Sequence, residues 1–170
     1  MRSHPGGEAH TRRLIELASL PAGASVLDMG AGAGETLALL REEGCDARGI
    51  DLAPRGAEVE RGDFLRAPWA DGSFDAIVSE CAFFASGDQA LALREARRLL
   101  KRGGKLLLAD VFFTAPPAML AEAGFTLLHA EDQSAAWKEY YLDALWRGDT
   151  PDCAVPKGKA AYWLLIARKE

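Results

Sequence analysis

Val26-Leu27-Asp28-Met29-Gly30-Ala31-Gly32-Ala33-Gly34-Glu35-Thr36 runs from an apolar strand, through a loop with glycine at every second position, into a helix. Glycine is needed where a chain turns sharply and lets its backbone approach a ligand, because a Cβ closes off both positive φ and close contact. The stretch therefore predicts a ligand at the end of a strand. The dinucleotide fingerprint has its third glycine three positions after the second, and here Glu35 stands there. A carboxylate at the start of a helix repels the pyrophosphate that such a helix end attracts. Asp28 adds a second negative charge just before the loop, so the site suits a cationic ligand better.

Outward from the loop, strands alternate with helices. Glu35 to Glu43, with Leu37, Leu39 and Leu40, predicts a short helix that Gly44 ends. Ala47 to Leu52 predicts a second strand, and its acid Asp51 falls 23 residues after Asp28, where such folds place a carboxylate for ribose hydroxyls. Val59-Glu60-Arg61-Gly62-Asp63-Phe64 predicts a third strand end. Trp69 to Glu80 predicts a turn at Asp71-Gly72 leading into a fourth strand, continued by Cys81-Ala82-Phe83-Phe84. Asp88 to Leu100 has helical spacing, and Lys101-Arg102-Gly103-Gly104 is a helix stop. Lys105 to Val111 is the nearly continuous apolar run of a central parallel strand. Pro116 to Ala123 predicts a helix and Phe125 to Ala130 a sixth strand. Trp137, Tyr140, Tyr141, Ala144 and Leu145 then share one helical face, as core or as a substrate wall. A loop rich in proline and glycine precedes a last strand, Ala161 to Arg168. Ahead of all this, Leu14, Ile15, Leu17 and Ala18 mark an amphipathic helix within Glu8 to Leu20, ended by Pro21 and Gly23.

The phrase Val-Leu-Asp-x-Gly-x-Gly-x-Gly resembles the cofactor loop of class I S-adenosylmethionine-dependent methyltransferases, in particular the small-molecule branch of the ubiquinone and menaquinone biosynthesis type. The resemblance runs from about Val26 to Lys169. It implies an α/β, Rossmann-like, doubly wound and mostly parallel sheet with an antiparallel final strand, and S-adenosyl-L-methionine as cofactor. That ligand carries a sulfonium and an ammonium and no phosphate. By resemblance, Asp28, Met29, Gly30, Ala31, Gly32 and Gly34 form the cofactor loop. Asp51 accepts from the ribose hydroxyls, Leu52 packs on adenine, Asp63 receives the adenine amino group and Phe64 covers the ring. Ser79 and its neighbours face the transferable methyl. Glu80 is the leading catalytic candidate, holding the cofactor's ammonium or acting as base, with a plain strand-end carboxylate as the alternative. Cys81 stands beside the acceptor or is a small buried hydrophobe. His129 lines the same mouth or is structural, and Asp110 ends a strand on the acceptor side. The His4-Pro5-Gly6-Gly7 loop is either part of a lid or a frayed terminus.

One departure stands out. Only about seven residues separate Asp51 from Val59, whereas a parallel crossover normally needs about a dozen and usually a helix. The helix between the second and third strands is thus missing. Either one face of the sheet near Asp51 is uncovered or the third strand is rudimentary. Cover would come from the N-terminal helix with Leu14, Ile15 and Leu17 or from a second copy of the chain; because an uncovered apolar face usually marks an interface, a homodimer whose contact includes Leu52 to Val59 is expected.

The 170 residues suit a single domain, with 1–24 as N-terminal loop and helix and 25–170 as the core. With 49% hydrophobic residues the chain can bury a core, and a net charge of -5 gives no electrostatic footprint for nucleic acid. A small-molecule acceptor is therefore expected. No apolar run approaches the roughly 18 residues of a membrane span, and Met1 to Pro5 lack the apolar core of a signal peptide. A cytoplasmic location with no membrane contact is expected. Cys45, Cys81 and Cys153 form no C-x-x-C pair, which argues for reduced thiols and against a zinc site. Two other classes stay open: an NAD-type oxidoreductase, opposed by Glu35 and the antiparallel last strand, and a cofactor-binding protein without catalysis.

Overall fold

In a computed structural model, which describes residues 4–149 and 159–170, the apolar stretch ahead of the glycine loop forms β1 (Ser25–Met29), and four of its five residues are buried. Its side chains alternate between the faces of the sheet, as strand geometry requires: Val26 enters one core layer, Leu27 and Met29 the other. Around it lie β2 (Asp46–Asp51), β3 (Val59–Arg61), β4 (Phe74–Glu80), β5 (Leu100–Phe112), β6 (Phe125–Asp132) and β7 (Ala161–Lys169). The sheet order is β3-β2-β1-β4-β5-β7-β6. β1 to β5 pair in parallel, and β7 runs antiparallel between β5 and β6.

Helices cover both faces. On one side α1 (Glu8–Ala18), α2 (Glu35–Glu42) and α6 (Ser134–Arg147) bring Leu14, Leu37, Leu40 and Trp137 onto Val26, Val78, Leu107 and Ile166. On the other, α3 (Ala82–Ala85), α4 (Gln89–Leu99) and α5 (Pro116–Glu122) bring Phe83, Leu93, Leu99 and Leu120 onto Leu27, Ile77, Leu106 and Leu165. Trp137 stacks on Tyr162 with ring centroids 6.3 Å apart. Trp137 and Tyr140 are therefore core and not a substrate wall.

The crossover from β2 to β3 has no helix, and of the two outcomes left open by its length the structure takes the second: β3 is three residues long. The chain folds back onto the glycine loop, where the Arg55 and Gly56 amides donate to the Gly32 carbonyl at 2.9 and 3.3 Å. Gly56 lies so close to Ala33 that a Cβ there would stand 2.3 Å from the Ala33 carbonyl oxygen. Val59 is buried, close enough to Gly34 that a Cβ there would meet it at 3.4 Å. No bare apolar face results between 52 and 59: the exposed large side chain is Leu52, at 64%, and it lines the cavity described below.

Two further differences have physical causes. β5 begins at Leu100, ahead of the glycines expected to precede it. Leu100 is fully buried and pairs with Phe74, and Gly103, at φ 75°, lets the register shift before Lys105 pairs with Ala76. The fourth strand ends at Glu80, and Cys81 at φ 60° turns the chain into the short α3. The loop expected over Pro151 to Gly158, with Cys153, lies outside the described residues. Cys45 and Cys81 are both buried. Among the described residues no helix is long and apolar enough to cross a membrane.

Candidate cofactor site

The carboxyl ends of β1, β2 and β4 meet at a cavity of about 640 Å3, which is where open α/β sheets bind ligands. Its floor is the glycine loop. Gly30, Gly32 and Gly34 have φ of 95°, 52° and 83°, all in the left-handed region that side chains disfavour. The Gly30 and Ala31 amides donate to the Ile50 carbonyl at 2.9 and 3.2 Å, tying the loop to β2. A Cβ on Gly30 would lie 2.3 Å from the Ala82 Cβ, and one on Gly32 would lie 3.1 Å from an Arg55 guanidinium nitrogen. Gly30, Gly32, Ala82 and Arg55 all line the cavity, so side chains at these glycines would crowd it.

Asp51, at the end of β2, holds the loop from the side. Its Oδ2 accepts from the Gly32 amide at 2.9 Å and its Oδ1 from the Ala53 amide at 2.8 Å. Each oxygen keeps further lone-pair capacity for a ligand donor. Asp63 caps a short 3-10 turn, Phe64–Arg66, by accepting from the Leu65 amide at 2.9 Å. Phe64 stacks on Phe83 at 5.8 Å and is 7% exposed, giving the cavity an aromatic wall.

Two more carboxylates stand at the opposite wall. Glu80 is gripped by three elements: the Thr11 hydroxyl of α1 at 3.1 Å, the Thr36 hydroxyl of α2 at 3.0 Å, and His4 of the N-terminal loop, whose Nδ1 is 3.6 Å away. Asp28 is 3% exposed and accepts no hydrogen bond from its side-chain surroundings among the described residues. Burial first, then repulsion from Glu80 and Asp51, pushes its carboxyl well above the ordinary 3.8. A buried carboxylate that lines a cavity without a donor calls for a cationic or donating ligand.

Asp28, Gly30, Ala31, Gly32, Asp51, Leu52, Asp63, Phe64, Glu80 and Cys81 thus come together around one cavity. Cys81 sits under it with Sγ 3.5 Å from the Tyr162 hydroxyl. Five other expected residues do not line it. Met29 is fully buried in the core below the loop. Gly34 is the left-handed N-cap of α2. Ser79 is fully buried, its hydroxyl donating to the Met29 carbonyl at 2.7 Å, because alternation along β4 turns it away from its neighbour Glu80. His129 lies on β6, where Nε2 is 2.8 Å from Glu131, itself paired with Arg13. Asp110 is fully buried behind α3. It accepts from the Phe84 and Val111 amides at 3.0 and 2.7 Å, and burial raises its carboxyl from 3.8 to about 7.

The structure adds His4, Thr36 and Arg55 to the lining. His4 is 8% exposed, so the N-terminal loop is packed over the site. Arg55 is there because the crossover is short, a signal the sequence did carry. Thr11 had none: its partner is 69 residues away.

The profile described as "Methyltransferase domain" matches residues 27–108, which contain the glycine loop, Asp51, Asp63 and Glu80. The methyltransferase GfsG of Streptomyces halstedii is 29% identical over 91% of this chain and 65% of its own length. Demethylmenaquinone methyltransferase of Thermus thermophilus is 34% identical over 62% of this chain and 54% of its own length. The chain thus spans somewhat over half the length of these curated relatives. Among solved structures, the [4+2]-cyclase SpnF superposes with a TM-score of 0.73 at 20% identity, covering 96% of this chain and 80% of that one; the likeness is one of fold. Together these matches place residues 27–108 in the methyltransferase domain family, and the chain among the homologues of class I S-adenosylmethionine-dependent methyltransferases.

Proposed function

We propose that the chain binds S-adenosyl-L-methionine in this cavity and transfers its methyl group to a small-molecule acceptor by direct displacement. The observation that carries the reading is Asp28, a buried carboxylate at the foot of a glycine loop that accepts no side-chain hydrogen bond among the described residues, beside a second carboxylate, Glu80. Such a wall fits a ligand with cationic groups and disfavours a pyrophosphate. When bound, the cofactor supplies an electrophilic methyl on a positively charged sulfur. Asp51 would hold the ribose hydroxyls, Leu52 and Phe64 would enclose adenine, and Asp63 would take its amino group. Asp28 and Glu80 would face the cationic end. Holding the acceptor in line at near-attack distance is most of what the protein must do. Glu80, within reach of the cavity and fixed by two threonines, takes the proton of a protonated nucleophile or holds the ammonium.

A fold of this kind does not by itself fix the chemistry, as the cyclase among its neighbours illustrates. The test has two stages. Calorimetry should show binding of S-adenosylmethionine and none of NADH; the reverse would assign the cavity to an oxidoreductase. Turnover against a panel of small hydroxyl, amine and thiol metabolites, followed by S-adenosylhomocysteine release, should then find an acceptor. Binding without turnover across that panel would favour a cofactor-binding role instead.

A further inference from the structure

Glu80 is well placed to take a proton and badly placed to lose one. Its side chain is 6% exposed and lines the cofactor cavity, which cofactor and acceptor fill when the site is occupied. A carboxylate that has served as base must be freed of its proton before the next turnover. Behind it lies a second cavity of about 660 Å3, between α1, α2 and α6. Its rim is the exposed Glu8, Glu35, Asp143 and Arg147, so it opens to solvent. His4 lines both cavities. On its cofactor side stand Glu80 of β4 and Asp28 of β1. The ring is 3.2 Å through Nε2 from the Thr11 hydroxyl, and through Nδ1 it is 3.2 Å from the Pro5 carbonyl oxygen and 3.6 Å from Glu80 Oε1. Thr11 has one hydroxyl proton and gives it to Glu80, so it accepts from Nε2–H. Nδ1 then faces two acceptors, a carbonyl and a carboxylate. With one ring proton that side of the imidazole sets a lone pair against lone pairs. A second proton satisfies it.

We propose that His4 is the outlet for the proton that Glu80 takes from the acceptor, carrying it from the cofactor cavity to the second cavity. The inference rests on the methyl-transfer reading above and deepens it. As the acceptor's lone pair bonds to the methyl carbon, the S–C electron pair returns to sulfur, and the acceptor's proton passes to a Glu80 oxygen. From there it moves to Nδ1 of His4, which leaves Glu80 a carboxylate again and His4 an imidazolium. The imidazolium gives its proton to solvent through the second cavity. At 3.6 Å the Glu80 contact is longer than a hydrogen bond, as catalytic contacts often are before a site is filled. Thr11 keeps ring and carboxylate in register by bonding both. His4 is thus a positioning residue that acts through Glu80 and does not itself touch the acceptor.

The test compares wild type with His4→Gln, whose amide can still donate to Thr11 but cannot carry a proton, and with His4→Ala, with circular dichroism as a check of folding. The first readout needs no acceptor. Calorimetry of S-adenosylmethionine binding in two buffers of different ionisation heat counts the protons released. A cation drawn to Glu80 competes with the proton on Nδ1, so between about pH 6 and pH 8 wild type should release more protons than His4→Gln. Equal counts overturn the proposal. The second readout is turnover on the panel of hydroxyl, amine and thiol metabolites. His4→Gln should lower it at least about tenfold while cofactor affinity stays within about threefold, and imidazole in solution should restore part of the activity of His4→Ala. An affinity that falls as far as turnover, or activity that imidazole leaves unrestored, would make His4 a packing residue and overturn the proposal. Cofactor binding without turnover on the panel overturns it too, since no proton is then produced. Failure of wild type to bind the cofactor sinks the cofactor reading itself, which is a different outcome from normal turnover by His4→Gln.

Discussion

Asp51 holds the loop with both oxygens of one carboxylate. Its two backbone bonds, from the Gly32 and Ala53 amides, fix the side chain, so in the proposed site a ribose would meet an acceptor already in place. Asp51→Ala should weaken S-adenosylmethionine binding by at least about tenfold, since each bond to a charged acceptor contributes roughly 1.5–3 kcal/mol. Calorimetry checks it, and unchanged affinity would remove Asp51 from the site. Asp110 makes a prediction of the opposite kind, about stability. Its folded carboxyl titrates near about 7 against an ordinary 3.8, so on raising the pH the unfolded chain loses this proton first. Its contribution is fully present below about pH 4 and is lost as pH rises to about 7, a loss of up to about 4 kcal/mol. Wild type should therefore melt lower at about pH 8 than at about pH 5. Asp110→Asn should flatten that slope while lowering stability at about pH 5, because an amide can accept only one of the two backbone bonds. Asp28 acts in the same direction, so a remainder of the slope should persist. An unaltered slope in the variant would show that Asp110 is not the titrating group. Asp51 was legible in the sequence because it ends a strand at a fixed distance from the loop. The grip on Glu80 was not, because Thr11 and Thr36 reach it only once α1 and α2 have packed on the sheet.

At the scale of elements, the glycine loop and the short crossover behave as one unit. The Gly32 carbonyl takes both crossover amides, and Gly32 itself, at φ 52°, leaves room for the Arg55 side chain. Gly32→Val should abolish detectable S-adenosylmethionine binding while the chain stays folded. The branched side chain both resists positive φ, at a cost of roughly 1–3 kcal/mol, and pushes Arg55 into the cavity. Circular dichroism and calorimetry on one sample separate the two effects, and normal binding by the folded variant would make the loop a bend without a ligand. The strand-loop-helix at 25–42 could be read from local pattern alone, because alternation, glycine and the following leucines all agreed. The departures came where a tertiary contact overrode the local signal. A buried Leu100 extended β5 backwards past a helix stop, and Cys81 was placed in the left-handed region by the sharp start of α3.

For the whole molecule, the question raised by the missing helix was what shields the sheet beyond β2. The residue count between Asp51 and Val59 carries length and no path, so the absent residues could be counted without showing that the crossover would lie on the glycine loop. Once it does, α2 covers Val59, β3 shrinks to three residues, and the exposure of Leu52 belongs to the cavity. Leu52 therefore separates two roles that the sequence allowed. As a wall for adenine, Leu52→Ser should weaken S-adenosylmethionine binding by roughly the apolar contact it removes, about 1–2 kcal/mol or five- to thirtyfold. As part of a subunit contact, the same change would lower the mass seen by light scattering at micromolar concentration. We expect the first effect without the second: weaker binding in calorimetry, and a scattering mass identical to wild type whatever that mass is. A shift in mass with binding intact would return Leu52 to an interface, and would mean that the face beside the crossover is covered by a second copy of the chain and not by its own fold.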